Sequence, residues 1–198
     1  MEKESSDLHG NAPDTCPVAV LIIDMINDLE FPEGPQLLEP TLKAADCIAH
    51  LKSQAKRLHI PVIYANDNFG HWRSDISFLV KHCLQTNVRG KSVMQLLKPD
   101  HTDYVVLKPK HSAFFETTLS LLLTYLGTKR LILTGLITDV CVQFTAQDAY
   151  LRDFQLSIPS DCVVAPSTER TQSSLDYMQR ILQADITPTT DLDLQRFL

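Results

Sequence analysis

The chain has 198 residues, 44% of them hydrophobic, which is enough apolar material for one compact domain with a packed core. Its 18 basic and 24 acidic side chains leave a formal charge of -6, so the broad positive field that nucleic acid or an anionic membrane would require is missing. No apolar run approaches the roughly 20 residues that cross a bilayer, and the five cysteines, scattered and without C-x-x-C or finger spacing, argue against a disulfide scaffold and structural zinc. These features predict a soluble, cytoplasmic protein with mostly reduced thiols and neither nucleic acid nor membrane as a partner.

Residues 1–15 (MEKESSDLHGNAPDT) are polar and lack apolar periodicity, which predicts a mobile N-terminal tail and a single domain over 16–198. A strand over 18–23, a helix within 41–58 and a strand over 61–65 then form a β-α-β opening. Residues 67–103 contain no long element, only two short helical patterns around 76–83 and 92–97; such a stretch in a compact domain reads as a lid or binding insert. The alternation resumes with a strand over 104–107, a helix near 115–126, a strand over 130–134 and a helix near 139–151. A strand over 155–158, a helix near 167–183 and a short strand near 185–187 complete the chain. Runs such as VAVLII and LILTG show no period-2 alternation, as expected of strands covered on both faces by helices, so the predicted fold class is a three-layer α/β/α sandwich.

In open α/β sheets ligands bind beyond the carboxyl ends of the strands, where strand order reverses. That rule selects Asp24 after VLII, Lys108 after VVL, and Cys141 within TGLITDVC. Singly, each has a plain alternative: a turn or cap aspartate, a rim lysine, a small buried hydrophobe. Together they supply a nucleophile, a base and an electrostatic partner. Thr138 or Asp139 is expected to cap the following helix, placing Cys141 in its first turn, where free N–H groups and the helix dipole favour a thiolate. Cys16, Cys47 and Cys83 have no comparable setting, and Cys162 lies beside Asp161, whose charge disfavours a thiolate.

The segments LIIDMINDLEF, VVLKPKHSAFFETTL and TGLITDVCVQFTAQDA, in that order, resemble the three signature blocks of the isochorismatase-like cysteine hydrolase superfamily. That superfamily includes nicotinamidases, N-carbamoylsarcosine amidohydrolase and ureidoacrylate amidohydrolases. The resemblance runs over about residues 17–187 and implies a Rossmann-like, six-stranded parallel sheet of order 3-2-1-4-5-6 in a homo-oligomer. It implies a catalytic triad of Asp24, Lys108 and Cys141, a cis peptide between Leu136 and Ile137, and an oxyanion hole made by the backbone amides of Ile137 and Cys141. In this order the first and third strands are separated by the second, about 10 Å of sheet, so the sheet's twist has to bring Asp24 and Lys108 together.

The implied activity is hydrolysis of a small-molecule amide, ureide or carbamoyl compound without a cofactor. Asp24 would take the thiol proton as Cys141 attacks the carbonyl, Lys108 would hold Asp24, and water activated by Asp24 would hydrolyse the thioester. Two alternatives stand beside it: a vinyl ether hydrolase of the isochorismatase type, which does not use this cysteine as nucleophile, and a non-catalytic interaction module on the same fold.

Nicotinamidases of the superfamily hold a metal with an aspartate and several histidines. YANDNFGHWRSD offers only Asp67 and His71 without the D-x-H spacing, so no metal is expected. Asn68 and Trp72 after the second strand and Phe31 after the first are candidate walls of a substrate pocket, Trp72 being equally readable as an anchor of the insert. His111 stands where many members of the superfamily have tyrosine; it and the other histidines are assigned no chemistry.

Overall fold

The computed structural model describes residues 15–73, 75–85 and 87–198. The tail expected over 1–15 therefore lies, but for Thr15, outside the described residues. Strand β1 (Val18–Ile23) has no exposed surface. Val18, Val20 and Ile22 enter one core, whereas Ala19, Leu21 and Ile23 enter the core on the opposite face. Both faces are thus apolar, which is why the run lacks alternation. The first core lies under α1 (Gly34–Arg57), α2 (Ile76–Cys83) and α3 (Lys91–Leu96). The second lies under α4 (Leu119–Leu126), α5 (Gln143–Tyr150) and α6 (Thr168–Leu182).

Strands β2 (Val62–Asp67) and β4 (Arg130–Leu136) flank β1 in parallel, with β3 (Tyr104–Lys108) outside β2 and β5 (Gln155–Ser157) outside β4, giving the order 3-2-1-4-5. The sixth strand differs from the expected one. Residues 185–187 contribute a single bridge, Asp185 to Ser157, and the sheet is completed by β6 (Val163–Val164), which pairs with Gly135 and Leu136 past the end of β5. Two residues carry no legible period.

Three helix boundaries also move. Helix α1 begins at Gly34 rather than near 41, because Pro35 occupies its first turn, where proline is tolerated, and the buried stripe Leu37, Thr41, Ala44, Ala45, Ile48, Leu51 and Ala55 carries the helix past Pro40. Helix α4 begins at Leu119 rather than near 115. Thr117 Oγ1 donates to the Ala113 carbonyl and accepts from the Leu119 amide, and Glu116 adopts φ +52°, which keeps the preceding residues in turns. The helix expected over 139–151 is divided: a π-helical turn, Thr138–Val142, precedes α5. The insert is packed into the body, since Leu79, Cys83, Val93 and Met94 of α2 and α3 join the core of α1.

Order reverses between β1 and β4, which makes their carboxyl ends the switch point. At Gly135 (φ +109°) a side chain would run into the Ile23 carbonyl. Glycine there lets β4 lie close against β1 one residue before Asp24. Among the described residues, no helix is long and apolar enough to cross a membrane.

Candidate active site

At the switch-point rim β1, β2 and β3 end side by side, with Ile23 opposite Ala65 and Asp67 opposite Lys108. Asp24 follows β1 in a left-handed conformation (φ +53°), which aspartate tolerates better than most residues, and its amide donates to the Ala65 carbonyl at 3.0 Å. The strands need not touch for their side chains to meet. The Lys108 ammonium, with no exposed surface, lies 2.8 Å from Asp24 Oδ2, 3.5 Å from Cys141 Sγ and 3.2 Å from the Lys110 carbonyl. An ammonium has three hydrogens, and these three acceptors match them. Asp24 Oδ1 accepts the Asp67 amide at 2.7 Å, and Asp24 Oδ2 and Cys141 Sγ share the Lys108 ammonium.

Burial raises the Asp24 pKa above the ordinary aspartate value, against the opposing pull of Lys108, the thiol and the Asp67 amide. For Lys108, burial disfavours the charge, but Asp24, Cys141 and Asp67 together outweigh it and hold the ammonium above its usual range. The Cys141 thiol is pushed up to about 12, first by burial and then by the charge of Asp24, with Lys108 opposing. Burial thus works against the thiolate that a position in the first turn was expected to favour. The expected cap is absent as well: Ile137 precedes the π-helical turn with no side-chain cap, and Asp139 pairs with Arg170 at 2.6 Å. Cys162 does follow expectation, since burial and Asp161 both raise its thiol.

A thiol whose folded pKa lies above its unfolded value keeps its proton where the unfolded chain has lost it. Its stabilising contribution is whole below about pH 8.5 and declines as pH rises through the folded value. Urea unfolding should therefore show stability falling steeply in alkali, with Cys141 accounting for about 2–3 kcal/mol of the fall by about pH 10.5. Cys141→Ala should flatten the profile by that amount; a variant profile parallel to wild type would contradict the shift.

Ile137 and Cys141 lie at the two ends of one tight segment. The Ile137 carbonyl accepts the amides of Val140 and Val142 at 2.9 and 3.2 Å, and the Leu136–Ile137 peptide is cis. Two further groups reach the site. Asp67 Oδ2 lies 3.6 Å from the Lys108 ammonium, and His111 Nδ1 lies 3.7 Å from Cys141 Sγ. The strand-end rule applied to β2 would have found Asp67. From the sequence, His111 is notable only for standing where many members of the superfamily have tyrosine, and is assigned no chemistry.

The expected pocket walls are less central. Asn68 is buried, but it builds the turn after β2: its amide donates to the Lys108 carbonyl at 3.1 Å and its Oδ1 accepts from Gly70 at 2.9 Å. Phe31 is half-buried against the core of α1. Trp72 is 78% exposed, so it does not anchor the insert; it lines an open depression of about 550 Å³ with His71, Arg73 and Phe78, and neither Lys108 nor Cys141 is among the described residues that line it. The described residues around the site do not fit a metal. Asp67 accepts the Phe69 amide at 2.6 Å and faces Lys108, and among the described residues no group of three or more His, Cys, Asp and Glu side chains is placed to hold an ion.

A family model described as the isochorismatase domain matches residues 18–191. The chain is 43% identical over 169 residues to an uncharacterized isochorismatase family protein, YaaI, of Bacillus subtilis (strain 168), covering 85% of this chain and 92% of that one. Among solved structures, the nicotinamidase PncA of Bacillus subtilis superposes with a TM-score of 0.67 at 25% identity, over 86% of this chain and 99% of that one. An N-carbamoylsarcosine amidase from Thermoplasma acidophilum superposes with a TM-score of 0.67 at 24% identity, over 89% and 98% of the two chains, a likeness of fold.

Proposed function

Because the chain belongs to the isochorismatase family of hydrolases, we propose that it cleaves a C–N bond of a small amide, ureide or carbamoyl compound through a thioester on Cys141. The observation that carries this reading is the buried Lys108 ammonium in contact with both Asp24 and Cys141 Sγ. Likeness to a nicotinamidase supports the amide class.

The thiol cannot attack until it gives up its proton, and Asp24, which shares the Lys108 ammonium with it and is made more basic by burial, is the acceptor at hand. Lys108 holds the carboxylate in place before transfer and offsets the charge of the sulfur after it. The amides of Ile137 and Cys141 stabilise the oxyanion as the carbonyl carbon becomes tetrahedral. The amine or ammonia departs, and water converts the thioester to a carboxylic acid. The test is an ammonia-release screen over small primary amides, ureides and carbamoyl acids, with rapid acid quench and mass spectrometry on any positive. An acyl group on the Cys141 peptide is the expected finding; turnover with that peptide never modified would exclude the mechanism.

A further inference from the structure

Cys141 sits in a turn that does little to hold itself. Thr138–Val142 is π-helical, a rare conformation that occurs mostly at functional sites. Its N-terminal end has no side-chain cap, and two of its buried polar atoms, Thr138 Oγ1 and Asp139 Oδ1, have no hydrogen-bond partner among the described residues. The turn nevertheless carries Cys141, and Ile137 directly precedes it. Both amides of the oxyanion hole therefore depend on what grips the turn from outside.

The grip comes from α6. Arg170 and Ser174 stand four positions apart, so they share one face of that helix, and α6 packs on the turn. Arg170 Nε donates to Asp139 Oδ2 at 2.6 Å. Ser174 Oγ donates to Gln143 Oε1 at 2.7 Å and lies 3.2 Å from the Thr138 carbonyl. These contacts fall on the first two residues of the turn and on the residue after its last, so they bracket Cys141. The helix that supplies them is itself anchored. Ser167 Oγ accepts the Arg170 amide at 3.2 Å, Thr171 Oγ1 accepts the Ala165 amide at 3.0 Å, and Leu175 and Met178 are buried in the second core. Arg170 is exposed and belongs to neither core, so its removal leaves both intact.

We infer that Arg170 is a positioning residue for the oxyanion hole: through Asp139 it fixes the backbone amides of the Cys141 turn, while Ser174 holds the turn's two ends. This rests on the thioester reading above. Arg170 acts through the turn and not on the reacting atoms. Amides aimed at a developing oxyanion are effective because they are already in place when charge appears, so a turn free to shift forfeits much of that advantage. Losing a whole donor commonly costs about 10²–10³-fold in rate, and loosening the turn by one of its clamps should cost about 30-fold. Chemistry at the sulfur that builds no oxyanion should not feel the loss.

Two reactions of the same sulfur make the test. 4-Nitrophenyl acetate acylates Cys141 through a tetrahedral oxyanion, whereas iodoacetamide alkylates it by displacement at a methylene carbon, with iodide leaving and no oxyanion formed. Arg170→Ala should slow the nitrophenolate burst about 30-fold, while alkylation of the Cys141 peptide, followed by mass, stays within about threefold of wild type. Arg170→Lys, which keeps a cation for Asp139, should return the burst to within about threefold, and adding Asp139→Ala to Arg170→Ala should slow it no further, because the two side chains form one contact. A burst at the wild-type rate in Arg170→Ala overturns the inference. Burst and alkylation slowed together, a burst that Arg170→Lys fails to restore, or a further loss in the double variant also overturns it, making the α6 contact a support for the fold alone. Absence of an acetyl group on Cys141 in wild type removes the thioester reading itself, and this inference with it.

Discussion

Cys141→Ala should lower amide hydrolysis by at least about 10⁴-fold, because the residues around a nucleophile act as a unit and little is left when it is removed. The fold should survive. The substitution deletes one sulfur from a position that is 8% exposed, and the Asp24–Lys108 pair at 2.8 Å remains intact. Urea unfolding near neutral pH should therefore shift by no more than about 1 kcal/mol, since active-site groups are seldom optimised for stability. The same variant separates the amide reading from vinyl ether hydrolysis, which needs no thiol. Ether hydrolysis that persists in Cys141→Ala, with no amide turnover in wild type, would shift the assignment to the second chemistry.

Lys108→Met should harm both activity and stability. Methionine fills much of the space of the lysine stem but leaves the Asp24 carboxylate buried with no counter-charge. Removing one partner of a buried pair commonly costs about 3–5 kcal/mol. Asp24 already has a raised pKa, and losing Lys108 would raise it further. A group with a raised folded pKa is least harmful to the fold when protonated, so the loss should be largest near neutral pH and shrink as pH falls through the Asp24 value. Adding Asp24→Asn should recover much of the stability without activity. Urea titrations at two pH values decide the matter: an equal deficit at both, with additive effects in the double variant, would show that Lys108 contributes by packing alone.

How far the chain could be read depended on what was local. VAVLII marks β1 at both ends because each residue is buried whichever face it meets. The start of α1 was hidden because Pro32, Gly34 and Pro35 together look like a turn, and only the buried stripe that begins with Leu37 and Thr41 shows the helix running through Pro35 and Pro40. The strand-end rule located Asp24, Lys108 and Cys141 without coordinates. It could not foresee the state of the sulfur, since a helix start is visible in sequence whereas burial beside a carboxylate is not. His111 was invisible for a related reason: its approach to Sγ depends on contacts to Thr145 and Asp148 from more than thirty residues away.

The residues that meet at the rim come from successive strand ends, Asp24 and Asp67 standing 43 positions apart and Lys108 and Cys141 33 apart. Each of these closures is a non-local contact that a collapsing polypeptide has to reach through a whole crossover. A nascent or half-assembled chain therefore carries an acid, an amine and a thiol that have not yet met. The buried cluster is thus a product of the completed sheet, and any variant that loosens a crossover should disperse it before it unfolds the core.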